Sequence, residues 1–171
     1  MIHLLLFFLL AGAEDARVLD VARATMKSAQ NCFLITVGDD GQAQARLMAP
    51  FDPEPSMTVW LATNRSTRKV GQIRKNPRVT LAYHDAAGVG YVTLLGRARL
   101  VQSIAERKLH WKDEWRAFYP RGPDDPDYLL IEFTPSRIEV MSISRHVADA
   151  PQGWRPAILE RHGQDWQLAK Q

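Results

Sequence analysis

Hydroxyl side chains and two adjacent cations stand together shortly before the middle of the chain. Thr63 and Thr67 offer hydroxyl groups, and Arg68 and Lys69 add full positive charges. Segment 56–83 contains no Asp or Glu, so no nearby carboxylate in the sequence balances these charges. The chemistry that this pattern favours is the binding of a phosphate or another anion.

A strand, a turn and a short helix are predicted to position these groups. Residues 57–62 form an apolar run typical of a buried strand. Val70 and Ile73 have the spacing of one buried helix face, and Asn76-Pro77 ends that helix. The helix would direct free N–H groups and the positive end of its dipole at an anion. An ordinary capped, solvated basic helix would show the same local pattern, and this alternative stays open from these residues alone.

Length, charge and cysteine usage limit the class of protein. The 171 residues suffice for one domain with a core, and 46% hydrophobic with 24% charged residues is typical of a soluble globular protein. A net charge of +3, and a basic cluster without interleaved aromatic residues, argue against a nucleic-acid binder. Cys32 is the only cysteine, and we expect it to be a buried thiol. The five histidines lack metal-ligand spacing, so we predict no metal site.

The first thirteen residues resemble a secretory signal peptide. Residues 2–10 are apolar apart from His3, and Ala11-Gly12-Ala13 provides small residues suited to cleavage. The apolar run is too short for a stable membrane span. No Lys or Arg precedes it, so a misassigned start codon and an apolar helix packed on the fold are the alternatives, with a cytoplasmic protein. The expectation is export if residues 1–13 are a signal peptide, followed by a barrel domain over 14–145 and a tail over 146–171.

The remaining pattern predicts a mainly β protein with peripheral helices. Helices are expected over 14–30 and 103–118, in addition to the short basic helix. The tail shows little periodicity. Short connections between mostly sequential strands favour a closed or partly closed antiparallel barrel. Seven strands are predicted, at residues 32–37, 42–49, 57–62, 79–83, 90–101, 128–134 and 137–143.

Several ordered motifs together resemble one known family. They are Ala45-Arg46-Leu47-Met48, segment 61–69, Gln72-Ile73, segment 76–81, segment 90–98, and the loop 122–127 with the strand that follows it. In this order and spacing the sequence is similar to the pyridoxamine 5′-phosphate oxidase-related, FMN-binding split-barrel proteins, most closely to their general stress protein branch. The resemblance implies a six-stranded antiparallel split β-barrel, a homodimer, and FMN bound across the dimer interface.

The resemblance also implies roles for individual residues around the flavin. Arg46 matches the arginine that approaches the phosphate and ribityl chain, while Leu47 and Met48 match backbone that lines the isoalloxazine ring. Ala62 matches a strand end beside the cofactor. Tyr91 occupies the place of a glutamine that contacts the flavin in the oxidases.

The same resemblance assigns the hydroxyl and cationic residues to the cofactor phosphate. Thr63 matches the strand end beside the cofactor, and Thr67, Arg68 and Lys69 match the phosphate clamp. These positions coincide with the anion site that residue chemistry alone suggests.

Two departures from the oxidases argue against pyridoxamine phosphate oxidation. Phe51 stands where the oxidases carry a lysine, and Arg145-His146 lacks the middle residue of their substrate-binding Arg-x-His pair. We therefore expect an FMN-dependent oxidoreductase with another small-molecule redox partner and leave the catalytic residues unassigned. The alternatives are a flavin-binding stress protein without turnover, or the same barrel binding a deazaflavin or haem.

A homodimer is also expected from apolar surface. The predicted helix 103–118 and the strands near the cofactor carry more aromatic area than one small barrel is expected to bury, and large apolar patches usually mark interfaces. The expected interface buries more than about 2,000 Å² in total. The aromatic residues concerned are Phe51, Trp60, Trp111, Trp115 and Phe118.

Overall fold

The computed structural model describes residues 2–148 and 155–170, with side chains from residue 12 onward. In this part of the chain it contains three α-helices and eight β-strands. The helices are α1 (Ile2–Ala29), α2 (Arg68–Lys75) and α3 (Ile104–Leu109). The strands are β1 (Cys32–Val37), β2 (Ala43–Met48), β3 (Val59–Asn64), β4 (Arg78–Asp85), β5 (Gly90–Val101), β6 (Tyr128–Ser142), β7 (Ala157–His162) and β8 (Asp165–Leu168).

All eight strands belong to one antiparallel sheet. Their order is β2-β1-β4-β5-β6-β7-β8. Strand β3 lies outside this order and pairs with the first half of the long β6, whose second half pairs with β7. Inward-facing side chains such as Leu34, Leu81 and Leu94 are fully buried, and α1 packs Val18, Ala22 and Met26 onto the same core. The predicted mainly β class with peripheral helices is confirmed. Cys32 is buried, as expected.

The strand count differs from the expected barrel because of the chain's last part. Strands β7 and β8 form a hairpin on the edge of β6, in the tail where little periodicity was predicted. Only Leu159 and Trp166 are buried in that hairpin, so its sequence alternation is weak. The two strands predicted over 128–134 and 137–143 are one strand, β6. Pro135 lies opposite Gly96 at a bulge, where a missing ladder hydrogen bond is tolerated.

The helix predictions need two corrections. Helix α1 begins at Ile2, so most of the segment considered as a leader continues the helix expected from residue 14. Export stays a prediction. No helix in the described part of the chain is long and apolar enough to cross a membrane. The single helix expected over 103–118 is instead α3, an irregular stretch, and a 3₁₀ helix over Asp113–Ala117.

Aromatic packing explains why the helix expected over 103–118 is interrupted. It also removes the argument that unburied aromatic rings require a dimer. Trp60, Tyr119 and Tyr128 form a second buried cluster with Val101 and Leu130, against which Trp111, Trp115 and Phe51 pack. These rings therefore bury one another within one chain. Phe118 alone of the five residues invoked is widely exposed, at 75%.

A buried carboxylate at the end of β4 joins α1 to the segment that follows β6. Asp85 is 2% exposed and accepts hydrogen bonds from the Ser28 hydroxyl (2.8 Å), the Gly88 amide (2.9 Å) and the Arg145 guanidinium (2.8 Å). The Gly88 amide, with smaller contributions from Arg145 and Ser28, lowers the pKa of Asp85 although burial opposes the shift. Ionised Asp85 therefore stabilises the folded protein.

Replacing Asp85 by Asn is expected to lower the free energy of unfolding by about 1–3 kcal/mol at pH 7. Because the folded-state pKa is lowered, this contribution is complete above the ordinary carboxyl pKa and is lost as pH falls through the lowered value. Urea unfolding measures the free energy of unfolding of wild type and Asp85→Asn at neutral and acidic pH. The difference between the two proteins should become smaller in acid. Asp39→Asn, which breaks an exposed pair with Lys75, is the control and should change stability by less than about 1 kcal/mol. Equal effects at both sites would contradict this role.

Candidate functional site

The turn between β3 and α2 is built by its own side chains. The Asn64 carboxamide oxygen accepts hydrogen bonds from the Ser66 hydroxyl (2.7 Å) and amide (2.9 Å). The Thr67 hydroxyl donates to the Asn64 carbonyl at 2.9 Å and lies 3.3 Å from the Thr63 hydroxyl. Thr67 is the N-cap of α2 but makes no side-chain capping bond. The turn is thus rigid, and the hydroxyl proton of Thr67 is already used within it.

Helix α2 then packs as its pattern predicts. Val70 and Ile73 are buried, and Asn76 ends the helix before Pro77. The amide of Val70 bonds back to the Thr67 carbonyl, which leaves the amides of Arg68 and Lys69 at the exposed first turn of the helix. These two N–H groups and the positive end of the helix dipole therefore lie at the backbone of the two cationic residues.

Arg46 of β2 reaches the same region and is held by neutral groups. Its guanidinium donates to the Leu34 carbonyl (3.2 Å), the Thr36 hydroxyl (2.6 Å) and the Gln72 side-chain oxygen (3.0 Å). Gln72 lies on α2 and donates in turn to Gln44 at 2.8 Å. This network fixes Arg46 under the helix without neutralising its charge. The sequence indicated Arg46 but not its three supporting residues, because their contacts join separate elements.

Three cations meet here without a carboxylate partner. Burial and then the charge of Arg68 lower the pKa of Arg46, while burial and then the charge of Arg46 lower the pKa of Lys69. Within residues 2–148 and 155–170, none of these three side chains forms an ion pair, and Arg68 and Lys69 donate no side-chain hydrogen bond. Mutual repulsion of this kind is relieved when an anion binds. The anion interpretation is therefore better supported than that of an ordinary solvated helix.

An uncharged cleft of about 630 Å³ lies beside the turn. Strand residues form one wall, and residues in and after the 3₁₀ helix form the other. Its size is within the range of small-molecule sites. The lining residues are Leu47, Met48, Ala49, Ala62, Asn64, Trp115, Phe118 and Tyr119.

The structure brings most of the predicted site residues together, with one exception. Leu47, Met48 and Ala62 line the cleft, while Thr63, Thr67, Arg68, Lys69 and Arg46 surround the adjacent turn. Tyr91 lies on β5, with β1 and β4 between it and β2. It pairs with His84 and Met141, and burial followed by the charge of Glu139 raises its pKa. Within one chain, Tyr91 is therefore remote from the cations.

The residues that distinguish this chain from the oxidases have structural partners. The Phe51 ring contacts His110 and Trp115 edge-on, at centroid distances of 5.0 and 5.7 Å. Arg145 is bonded to Asp85 at the end of β4, and neither it nor the exposed His146 lines the cleft. Trp115, Phe118 and Tyr119 were not predicted as site residues. Trp115 and Phe118 were assigned to a dimer surface on the predicted helix 103–118, and no pattern marked Tyr119.

The fold and this site agree with one protein family. The family model for pyridoxamine 5′-phosphate oxidase-like proteins matches residues 19–150. The chain therefore belongs to the pyridoxamine 5′-phosphate oxidase-like family. General stress protein 26 of Bacillus subtilis is 29% identical over 105 residues, which cover 60% of this chain and 73% of that protein.

Solved structures of proteins described as binding different ligands share this fold. A Clostridium acetobutylicum protein related to general stress protein 26 superposes with a TM-score of 0.66 at 25% identity, covering 76% of this chain and 91% of that one. An FMN-binding protein of Nostoc punctiforme has a TM-score of 0.58 at 16% identity, with 91% and 95% covered. A haem-binding protein of Mycobacterium smegmatis has a TM-score of 0.57 at 18% identity, with 71% and 52% covered. The last two likenesses concern the fold alone.

Proposed function

We propose that this protein binds FMN, with the phosphate at the start of α2 and the isoalloxazine ring in the adjacent cleft. The observation that carries the proposal is the meeting of Arg46, Arg68 and Lys69, none of them ion-paired within the described residues, directly beside an uncharged cleft. Asp39 and Asp40 line a groove with Arg68, but Asp39 is paired with Lys75. A phosphate ester attached to a flat, largely apolar ring has this combination of properties. Riboflavin would fill only the cleft, and inorganic phosphate only the turn.

The residues present divide the work of holding such a cofactor. Arg46, fixed by Thr36 and Gln72, and the α2 amides offer preorganised donors to a phosphate. Arg68, which is exposed, adds a charge-assisted and bidentate donor. Met48 and Ala62 give the ring an apolar wall that excludes water. Bound FMN would supply the redox chemistry, and the chain would supply binding and orientation.

We further propose that the FMN-loaded protein is an oxidoreductase with a small-molecule redox partner. Family membership and the accessible cleft support this over a flavin store. The test is anaerobic mixing of FMN-loaded protein with NADPH or NADH, followed by addition of an acceptor. Loss and rapid return of the blue flavin absorbance are expected. Absence of reduction by either nucleotide, while FMN stays bound, would favour a flavin-binding stress protein without turnover.

A homodimer is proposed from an exposed sheet face instead of the aromatic cluster. Outward-facing Phe33 and Leu47 pair directly across β1 and β2 and are 45% and 61% exposed. Val37, on the same face, lines a groove of about 520 Å³ with Ile35, and Arg78 and Arg97 also line this groove. An exposed apolar patch of this kind usually marks an interface. Leu47 also lines the cleft, so a partner on this face would border the cofactor.

A further inference from the structure

The cleft wall opposite the strands is not assigned to the flavin ring. It consists of Trp115 in the 3₁₀ helix and of Phe118 and Tyr119 just after it. Two of these rings are anchored from behind. Trp115 contacts Trp111 at a centroid distance of 6.0 Å, and Tyr119 contacts Tyr128 at 5.1 Å. The wall is therefore a fixed aromatic surface and not a loose loop.

Phe118 differs from the other two rings because it is open to solvent. Its side chain is 75% exposed, whereas Tyr119 is 8% exposed. An exposed phenylalanine beside a cleft offers a stacking surface to whatever enters. Leu109 is also 75% exposed but does not line the cleft, so the chain contains a matched exposed apolar residue for comparison.

The cleft lacks charged side chains among its lining residues. Its described lining side chains with polar groups are Asn64, Trp115, whose indole carries an N–H donor, and Tyr119. Lys112 contacts the aromatic wall, with its amine 5.6 Å from the Trp115 ring centroid, but it does not line the cleft. A charged reactant entering here would lose hydration and meet no charged side chain among the lining residues. An uncharged flat ring would keep its stacking contacts at no such cost.

We propose that Trp115, Phe118 and Tyr119 bind an uncharged planar aromatic compound, the second reactant of the flavoprotein. This rests on the proposed function, since the strand wall of Leu47, Met48 and Ala62 is assigned to the flavin ring. The proposed reactant differs from the phosphate ester that an oxidase of this family would bind. Arg145 is hydrogen-bonded to Asp85 and does not line the cleft.

The test compares two probes of nearly equal shape, naphthalene-2-carboxamide and naphthalene-2-carboxylate. Each is titrated calorimetrically into FMN-loaded wild-type protein. The neutral amide is expected to bind at least about tenfold more tightly than the anion, because only the anion leaves a buried charge unpaired. The protein's net charge of +3 would by itself favour the anion. Equal or tighter binding of the carboxylate would overturn the proposal.

Variants then locate the binding surface. Phe118→Ala should weaken amide binding by roughly 3- to 10-fold, and Leu109→Ala should leave it unchanged. FMN affinity should be the same in both variants. A Phe118→Ala protein that binds the amide normally, or loses FMN affinity to the same extent, would show that the wall serves only the fold or the flavin. If wild type takes up no FMN, the proposed function fails. Titrating the neutral amide into flavin-free wild type, Phe118→Ala and Leu109→Ala then decides separately whether this wall binds the neutral ring.

Discussion

Replacing Arg68 by alanine is expected to weaken FMN binding by roughly 10- to 100-fold. Hydrogen bonds to charged groups contribute about 1.5–3 kcal/mol, and about 1.4 kcal/mol corresponds to a factor of ten in affinity. Arg68 is exposed and, in the described part of the chain, makes no side-chain hydrogen bond or ion pair. Its loss should therefore leave the fold intact. Its positive charge lies near Arg46, which is also unpaired by any carboxylate.

Riboflavin and Arg74 provide the controls for this prediction. Riboflavin lacks the phosphate, so it should bind wild type poorly and be almost insensitive to Arg68→Ala. Arg74 is exposed in the last turn of the same helix, and Arg74→Ala removes the same charge beyond reach of the first-turn amides. It should change FMN affinity by less than about twofold. Flavin fluorescence titrations measure all of these. Equal losses for FMN and riboflavin would mean that Arg68 does not bind phosphate.

Placing a charge at Phe33 is expected to separate the proposed homodimer into monomers. Phe33→Glu buries a carboxylate in an apolar interface without a partner, which costs several kcal/mol in each copy. The side chain is 45% exposed in one chain, so the monomer should still fold. Because Phe33 pairs directly with Leu47 of the cleft, FMN affinity should fall together with dimerisation.

Light scattering at micromolar concentration measures the oligomeric state. The control is Leu109→Glu, which introduces the same charge at an exposed apolar residue of α3 outside the cleft and the sheet face. It should remain dimeric. A monomeric wild type with FMN bound, or a Phe33→Glu protein that is still dimeric, would contradict the proposed interface.

The sequence predicted those parts of the site that are set by local patterns. The strand, turn and helix around Thr67 follow from a buried run, short polar residues and the spacing of Val70 and Ile73. Arg46 was found only through family resemblance, because no local pattern marks an arginine whose supports lie on other elements. These parts were predictable because each depends on residues close together in the chain or on a motif of fixed spacing.

Contacts between distant segments account for what was missed. Segment 103–118 was predicted as one long helix, but its aromatic side chains pack on Trp60 and Tyr128 and give a 3₁₀ turn instead. This packing created the second wall of the cleft and removed the aromatic argument for a dimer. The β7–β8 hairpin was missed because Leu159 and Trp166 are its only buried residues, which leaves little alternation in its sequence. Tertiary packing, and not local propensity, decided each case.

The central claim is that the three cations and the neutral cleft together select a phosphorylated flavin. Its most direct test is to incubate purified, ligand-free protein with equal amounts of FMN, riboflavin and haem, remove free ligand by gel filtration, and identify what remains by absorbance and mass spectrometry. We predict flavin bands in the blue and near-ultraviolet and release of FMN alone. Retention of riboflavin as well as FMN, or a Soret band from bound haem, would contradict the account.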